Sequence, residues 1–214
     1  MIAVFGGTFD PVHLGHINMA TQCMAALKLS ELRFIPNAVP VHKQGPAIST
    51  EDRLAMLQLA TAHEPRFTID RRELERDTPS YSLLTLEELK AEYPDQALVF
   101  LMGMDSFNSL DKWYRWQDIV SLCHLVVYQR PGDVFAPSVA LQTYLKQAHC
   151  TEPGQLSTQP GGLCYFLPGQ PFEAASSTIR NAIKQRQAVE PWLNNTVLEY
   201  IQAHQLYLSS SDNT

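Results

Sequence analysis

The stretch GGTFDPVHLGH at residues 6–16 follows the apolar run MIAVF at residues 1–5. This order predicts a short buried strand that runs into a glycine-containing loop and then into a helix. Gly6 and Gly7 lack Cβ atoms, so a ligand can approach the backbone N–H groups of the loop closely. The start of the following helix offers unpaired N–H groups and a partial positive charge, and both favour a bound phosphate. The stretch therefore predicts a strand–loop–helix phosphate site.

Two histidines give this loop imidazoles where other phosphate loops carry lysine. His13 and His16 are three residues apart, so in the first turn of a helix they would share one face. Pro11 marks a turn just before that helix. Gly15 costs about 1 kcal/mol relative to alanine inside a helix, so its presence predicts close packing against it. The histidines could instead be a surface pair or half of a metal site, although no HExxH motif or cysteine pair accompanies them.

The length and charge of the chain limit its class. Its 214 residues suit one domain, residues 1–214. The net charge of −6 argues against a nucleic-acid surface, because such surfaces are basic. No apolar run approaches the roughly 18–20 residues that span a bilayer, and Met1 leads into a predicted strand, so we expect no membrane segment and no signal peptide. The four cysteines lack metal-ligand spacing and predict reduced thiols in the cytoplasm. A monomer and a homo-oligomer both stay open.

Apolar periodicity predicts strands and helices in alternation along the chain. The predicted strands cover residues 2–5, 32–35, 67–69, 97–102, 125–128 and 163–167. The predicted helices cover residues 14–29, 82–92, 116–123, 138–148, 178–186 and 192–204, and another begins at residues 49–50. This order predicts an α/β fold, a Rossmann-like doubly wound, mostly parallel sheet with helices on both faces and ligands at the carboxyl ends of its strands. The C-terminal helices, within residues 177–206, should pack on it; residues 151–162 should form a loop and residues 209–214 a polar tail.

The pattern GGxFDPxHxGH in residues 6–16 resembles the N-terminal signature of the nucleotidylyltransferase superfamily. Within it, the chain most resembles the bacterial nicotinate-mononucleotide adenylyltransferases, and the resemblance continues along most of the sequence. It implies an enzyme that uses ATP, with Mg²⁺ held by phosphates and water, to convert nicotinate mononucleotide into deamido-NAD and pyrophosphate. Enzymes for nicotinamide mononucleotide or phosphopantetheine, and a non-catalytic nucleotide sensor on the same fold, are the alternatives.

Two segments carry the triphosphate contacts that the resemblance implies. His16 would donate a hydrogen bond to the α-phosphate, and His13 would help to hold the triphosphate. The segment PNAVPVHK at residues 36–43 resembles PxxxPPHK, with valine in place of one proline, and Lys43 would contact the triphosphate. Arg53, in the next helix, resembles a family arginine that supports this loop or the phosphates.

Residues 174–180, AASSTIR, resemble the second superfamily signature, ISSTxIR, which recognises phosphates with hydroxyls at a helix start and an arginine. Arg180 and one hydroxyl, that of Ser177, are the implied phosphate ligands. Counting back from Arg180 puts Ser177 at the threonine position, whereas a one-residue deletion would align residues 176–178 with SST, and both registers stay open. The implied catalytic residues are His13, His16, Lys43 and Arg180. The implied ATP-binding residues are Gly6, Gly7, Thr8, Phe9, His13, His16, Gly103, Asp105, Ser177 and Arg180.

The segment PSYS at residues 79–82 resembles the family's PSYT, which holds the nicotinate carboxylate on backbone N–H groups at a helix start. A helix N-terminus attracts anions, so it should prefer a carboxylate to a neutral amide. The alternative is a plain N-cap by Ser80 or Ser82. The implied nicotinate-mononucleotide-binding residues are Asn37, Lys43, Tyr81, Ser82, Trp113 and Arg130.

Three further residues each have a functional and a structural interpretation, and the C-terminal segments have a structural interpretation alone. Asp105 follows the central apolar strand and is either a ribose ligand or a turn residue. Trp113 ends a segment that resembles LxxW, whose tryptophan stacks on the pyridine ring, but it could be an ordinary core residue. Arg130 either faces the nucleotide cleft or pins its own loop. The segments at residues 197–201 and 205–207 resemble the family's closing helix, which indicates core packing.

Overall fold

The computed structural model describes residues 1–38, 47–172 and 175–208. Over these residues, seven strands form a single sheet in the order β3-β2-β1-β4-β5-β7-β6. The strands are β1 (Ile2–Gly7), β2 (Leu32–Pro36), β3 (Phe67–Ile69), β4 (Leu98–Gly103), β5 (His124–Gln129), β6 (His149–Cys150) and β7 (Cys164–Pro168). Every pairing between neighbouring strands is parallel. The prediction of a doubly wound parallel sheet is confirmed.

Helices fill the connections between the strands. They are α1 (Leu14–Leu27), α2 (Thr50–Thr61), α3 (Arg72–Glu75), α4 (Ser82–Glu92), α5 (Met104–Asn108), α6 (Trp116–Leu122), α7 (Val139–Ala148), α8 (Ser176–Lys184) and α9 (Asn195–Ala203), with 3₁₀ turns at Leu110–Lys112 and Pro153–Ser157. The predicted start of α2 is confirmed, because Ser49 Oγ accepts a hydrogen bond from the Asp52 N–H at 3.0 Å. No helix within the described ranges is long and apolar enough to cross a membrane.

The sheet separates two hydrophobic clusters, because alternate side chains of a strand point to opposite faces. On β1, Ala3 and Phe5 join one cluster, while Ile2 and Val4 join the other. The first cluster includes side chains from α1, α2, α8 and α9, and the second includes side chains from α4, α6 and α7. Helices therefore cover both faces, as predicted, and the carboxyl ends of the strands remain open for a ligand.

Several predicted boundaries are wrong by two or three residues. The first strand continues to Gly7, because its pairing with β2 extends to Pro36. The last helix begins at Asn195 rather than at residue 192, because the Asn194 side chain accepts a hydrogen bond from the Thr196 N–H at 3.3 Å and caps it there. The helix predicted from residue 178 begins two residues earlier.

Short elements are absent from the sequence prediction. α3 and α5 have four and five residues, too few to show a helical repeat in the sequence. The 3₁₀ turn Pro153–Ser157 lies within the predicted loop at residues 151–162, and at five residues it too is short for a pattern to predict. α3 lies shortly before residues 79–82, the segment predicted to bind the pyridine carboxylate, so it is relevant to the site.

Some predicted features lie outside the described residues. Lys43 is among them, with the rest of residues 39–46. The tail at residues 209–214 and Ala174 of the second signature lie outside them too. Their roles stay predictions.

Candidate active site

A cleft of about 460 Å³ opens at the carboxyl ends of β1, β2 and β4. The predicted site residues that line it are Gly6, Gly7, Thr8, Asn37, Tyr81, Ser82, Asp105 and Trp113. These residues come from four separate segments of the chain. The fold therefore brings the signature loop and the predicted pyridine-binding segments to one place, at the edge of the sheet where parallel α/β proteins bind ligands.

Phe9 turns the signature loop back into the core. Its φ angle is 48°, in the left-handed region that non-glycine residues seldom adopt. Its ring is buried and packs edge-on against Phe5 and Phe34, with centroids 5.6 Å apart in both pairs. A Cβ atom on Gly7 would lie 2.9 Å from the Phe9 ring, so the turn itself requires this glycine. Phe9 could therefore contact ATP only through its backbone.

The two histidines lie against each other on one side of the start of α1, as their spacing predicts. His13 is the N-cap of α1 and has extended backbone angles, φ −143° and ψ 169°. His16 lies within the helix, and its Nδ1 accepts a hydrogen bond from the His13 N–H at 3.2 Å. The rings stack with centroids 3.7 Å apart. Because Nδ1 of His16 accepts, a neutral His16 carries its proton on Nε2, which is then a hydrogen-bond donor.

Gly15 is required by close packing, which confirms the prediction made for it. A Cβ atom there would lie 2.6 Å from the Phe172 ring and 2.9 Å from Nδ1 of His13. Phe172 stacks on His13 with ring centroids 5.3 Å apart and planes 12° from parallel. Phe172 is thus a site residue that sequence reasoning missed, because it lies in an irregular segment after β7 that no motif marks.

Burial lowers the pKa of both imidazoles. The His13 pKa falls from 6.5 to about 4, chiefly through burial and secondarily through the positive charge of Arg130. The His16 pKa also falls well below 6.5, chiefly through burial and then through the neighbouring His13. Both rings are therefore neutral near pH 7 and can donate N–H hydrogen bonds without carrying a full charge.

The low pKa of His13 predicts that stability falls on acidification. The unfolded chain protonates His13 below about pH 6.5, whereas the folded chain keeps it neutral down to about 4. The unfolded state binds more protons in this window, so the free energy of unfolding should fall there by up to about 3 kcal/mol from His13. Urea unfolding at about pH 7.5 and about pH 4.5 measures this change. The matched variant His13→Asn, which keeps an N-cap residue, should lose less stability than the wild type; equal losses would contradict the low pKa.

Arg53 supports the signature loop from inside the protein. Its side chain is 1% exposed. Nη1 donates to the Thr8 carbonyl at 2.7 Å, and Nη2 donates to Oγ1 of Thr50 at 3.2 Å. Burial lowers the pKa of this guanidinium, and the nearby carboxylate of Asp10 opposes that shift. Arg53 therefore supports the signature loop. The segment around Lys43, which the resemblance implied as its partner, lies outside the described residues, so that role stays a prediction.

The second signature lies beside the first. Arg180 is one turn into α8, and its Nη1 donates to the Asp10 carbonyl at 2.6 Å. Ser176 Oγ donates to the Pro11 carbonyl at 3.0 Å, while Ser177 is exposed at the second helical position. Ser177 and Thr178 are both exposed in the first turn of α8, with Arg180 one turn into the helix, whereas Ser176 is occupied in joining the two signatures.

The start of α4 has no side-chain cap. Its N-cap is Tyr81, which makes no capping hydrogen bond, so the alternative of a plain cap by Ser80 or Ser82 is wrong. Ser80 Oγ instead accepts a hydrogen bond from the Ala38 N–H at 3.0 Å, next to Asn37. The first N–H groups of α4 thus lie beside the cleft without a side-chain partner, as an anion site requires.

Glu73, on α3, lies behind this helix start and was missed by sequence reasoning. Its side chain is 4% exposed, and Oε1 accepts a hydrogen bond from Oγ1 of Thr85 at 2.6 Å. Burial raises the pKa of its carboxyl group, and the Thr85 hydrogen bond opposes that shift. Glu73 therefore braces α4 through Thr85.

Trp113 and Arg130 differ in their relation to the cleft. Trp113 lines it and meets Phe100 edge-on, with ring centroids 6.1 Å apart. Arg130 pairs with Asp133 at 3.0 Å and donates to the Phe172 carbonyl at 3.5 Å. Of its two interpretations, the structure supports the one in which Arg130 pins its loop, and it lies beside His13 rather than beside Trp113.

A family model described as cytidylyltransferase-like matches residues 4–182. This match covers more than half of the chain, including both signatures. The chain belongs to the cytidylyltransferase-like family. Among curated relatives of this cytidylyltransferase-like protein, one from Pseudomonas aeruginosa is 41% identical over 96% of each chain. Another, from Methylococcus capsulatus, is 38% identical over 97% of this chain and 99% of its own. Both are named probable nicotinate-nucleotide adenylyltransferase.

Solved structures share the fold of this cytidylyltransferase-like protein. The nicotinic acid mononucleotide adenylyltransferase of Plasmodium falciparum, complexed with APC, gives a TM-score of 0.70 over 96% of both chains at 14% identity. The same enzyme complexed with NaAD gives a TM-score of 0.70 at 17% identity. At these identities the likeness establishes the fold alone.

Proposed function

We propose that the chain is an adenylyltransferase that joins ATP and nicotinate mononucleotide to give deamido-NAD and pyrophosphate in NAD biosynthesis. The observation that carries this function is one cleft that is lined both by the signature loop and by the uncapped start of α4 beside Trp113. A phosphate site and a carboxylate site next to an aromatic ring match the two substrates. The names of relatives about 40% identical over nearly the whole chain support the same activity.

The reaction needs no protein nucleophile, because the 5′-phosphate of nicotinate mononucleotide is the nucleophile. One of its oxygens forms a bond to the α-phosphorus of ATP, and the bond from that phosphorus to the bridging α–β oxygen breaks, so pyrophosphate leaves. The protein then has two tasks: to hold the two phosphates in line and to stabilise charge on the α-phosphate oxygens.

The residues of the two signatures suit the ATP side. Nε2 of His16 would donate to an α-phosphate oxygen, where charge grows in the transition state. His13, Ser177 and Arg180 would hold the triphosphate, with Lys43 from the segment outside the described residues. Backbone N–H groups of Gly6, Gly7, Thr8 and Phe9 would lie along the nucleotide, with Gly103 and Asp105 at its ribose.

The other side of the cleft suits a pyridine ring that carries an acid. The first N–H groups of α4, from Ser82 onward, would bind the carboxylate beside Tyr81, because a helix N-terminus favours an anion over a neutral amide. The Tyr81 N–H itself donates to the Pro79 carbonyl at 2.8 Å. Trp113 offers an aromatic face for the flat ring. Asn37, whose N–H donates to the Gly7 carbonyl at 2.9 Å, would contact the nucleotide between the two walls. Arg130 would act at a distance through His13 and Phe172.

We propose that Mg²⁺ enters with ATP. In the described part of the chain, no group of three or more His, Cys, Asp or Glu side chains is placed to hold a metal ion. Phosphate oxygens and water would therefore supply its ligands, and the ion would neutralise phosphate charge.

We also propose that residues 1–214 form one domain, since a single sheet receives strands from Ile2 to Pro168. Four buried, unpaired cysteines support a cytoplasmic location.

Pyrophosphate release by the purified protein with ATP and Mg²⁺ tests the function. Nicotinate mononucleotide should be used at least about tenfold better, in kcat/KM, than nicotinamide mononucleotide, because only the acid satisfies the N–H groups at the start of α4. The variant His16→Asn, assayed in parallel, controls for contaminating phosphatases. Preference for the amide would overturn the acid specificity but keep adenylyl transfer. No release with either substrate would overturn the proposed function.

A further inference from the structure

The turn after α9 carries Tyr207 back to the start of the chain. Its hydroxyl donates a hydrogen bond to Oδ1 of Asp10 at 2.8 Å, across 197 residues of sequence. Gln205 and Tyr207 both have left-handed backbones, with φ angles of 53° and 66°. Non-glycine residues adopt this conformation at an energetic cost, so the turn persists only because its contacts offset that cost.

Asp10 is buried, at 4% exposure, and each of its oxygens has a different partner. Oδ1 accepts from Tyr207, and Oδ2 accepts from the Ala47 N–H at 2.7 Å. The backbone carbonyl of Asp10 accepts from Nη1 of Arg180 at 2.6 Å, and the same nitrogen lies 3.8 Å from Oδ2. Asp10 thus connects the signature loop, the segment before α2, the second signature and the C-terminal turn.

Removing the Tyr207 hydroxyl would take away the hydrogen-bond donor that the buried Oδ1 of Asp10 has among the described residues. A buried carboxylate oxygen without a partner is unfavourable, so the Asp10 side chain would rotate or admit water. The Asp10 backbone holds Arg180 and lies three residues before His13, so its movement would displace groups on the phosphate side of the site. The pyridine side would be unaffected, because Tyr81 and Trp113 lie on different segments.

We propose that Tyr207 is a positioning residue for the phosphate-binding loop, acting through Asp10 on the geometry that Arg180 and the signature loop present to ATP. The sequence motif predicts core packing for residues 205–207, and packing alone does not account for the hydrogen bond of the Tyr207 hydroxyl to Asp10. That ATP is the ligand affected rests on the proposed function. The positioning role itself predicts an effect on ATP affinity that needs no turnover.

The test compares Tyr207→Phe with Tyr200→Phe. Each substitution removes one hydroxyl near the C-terminus, and Tyr200 donates to Oδ1 of Asp52 at 3.0 Å, away from the signature loop. Tyr207→Phe should lower kcat/KM for ATP by about 10- to 100-fold and leave KM for nicotinate mononucleotide within about twofold of the wild type. Tyr200→Phe should leave both parameters unchanged.

Calorimetric titration of ATP and Mg²⁺ into each protein, without the second substrate, gives a readout independent of catalysis. Tyr207→Phe should bind ATP about tenfold or more weakly than Tyr200→Phe at equal folded fraction. Unchanged ATP affinity and kcat/KM in Tyr207→Phe would overturn the proposal, and so would an equal loss toward both substrates. If wild-type protein releases no pyrophosphate but Tyr207→Phe still weakens ATP binding, the proposed function fails and the positioning role stands.

Discussion

Replacing His16 with asparagine should lower kcat by about 100- to 1,000-fold with little change in KM, the usual cost of losing one donor to a transition-state oxyanion. Asparagine places an oxygen near the position of Nδ1, so it can keep the hydrogen bond that the His13 N–H makes to His16 at 3.2 Å. It has no group at the position of Nε2. The substitution therefore removes the proposed donor and retains the local structure of α1.

Two other variants isolate the donor. His16→Gln places an amide nitrogen near the position of Nε2 and gives up the bond to His13, so it should retain more turnover than asparagine and be less stable. His63→Ala removes an exposed histidine beyond the end of α2 and should change neither property. Steady-state kinetics with thermal unfolding of each protein measures both effects. Near-normal turnover in His16→Asn would remove His16 from the mechanism.

Replacing Arg53 with alanine should lower the free energy of unfolding by about 3–5 kcal/mol, because it removes buried hydrogen bonds from a charged donor and a large buried side chain. Arg53 is 1% exposed, and its loss leaves the Thr8 carbonyl without its donor and removes one of the positive charges near Asp10. It also leaves a cavity that neighbouring side chains fill only in part. The signature loop should therefore lose its support as well, and kcat should fall in the protein that remains folded.

Arg66→Ala is the matched control for Arg53→Ala. Arg66 lies on the surface and pairs with Glu64 at 2.6 Å, with half of its side chain exposed. Solvent screens an exposed pair of this kind, so its loss should hardly change urea unfolding. Similar unfolding free energies for the two variants would mean that Arg53 does not hold the loop.

The parts of the fold that sequence alone predicts are those with a long repeating pattern or a strong local signal. The helix at residues 82–92 matches α4 residue for residue, because its apolar spacing is continuous and Pro94 ends it. The sheet follows from apolar runs such as residues 97–102, which are typical of a strand buried on both faces. The residues that the motifs single out include Gly6, Gly7, Tyr81 and Trp113, and these four line one cleft.

The rest depends on tertiary contacts that no local pattern records. The spacing of His13 and His16 predicts that they share one side of the helix start, but the stacking of His13 on His16 and on Phe172 depends on tertiary structure. Glu73 lies on a helix of four residues, too short to recognise in the sequence. Tyr207 looked like a packing residue, because nothing in its neighbours reveals a partner 197 positions away.

The contacts that hold Asp10 join residues that are made at different times during synthesis of the chain. The signature loop at residues 6–16 is made well before Ser176, Arg180 and Tyr207, which hold Asp10 and Pro11. The Leu14 N–H likewise donates a hydrogen bond at 2.9 Å to the carbonyl of Trp192, a residue made much later. A growing chain can fold β1 to β4 before it can fix this loop. Nucleotide binding at full strength should therefore begin only after Tyr207 has left the ribosome and bonded to Asp10.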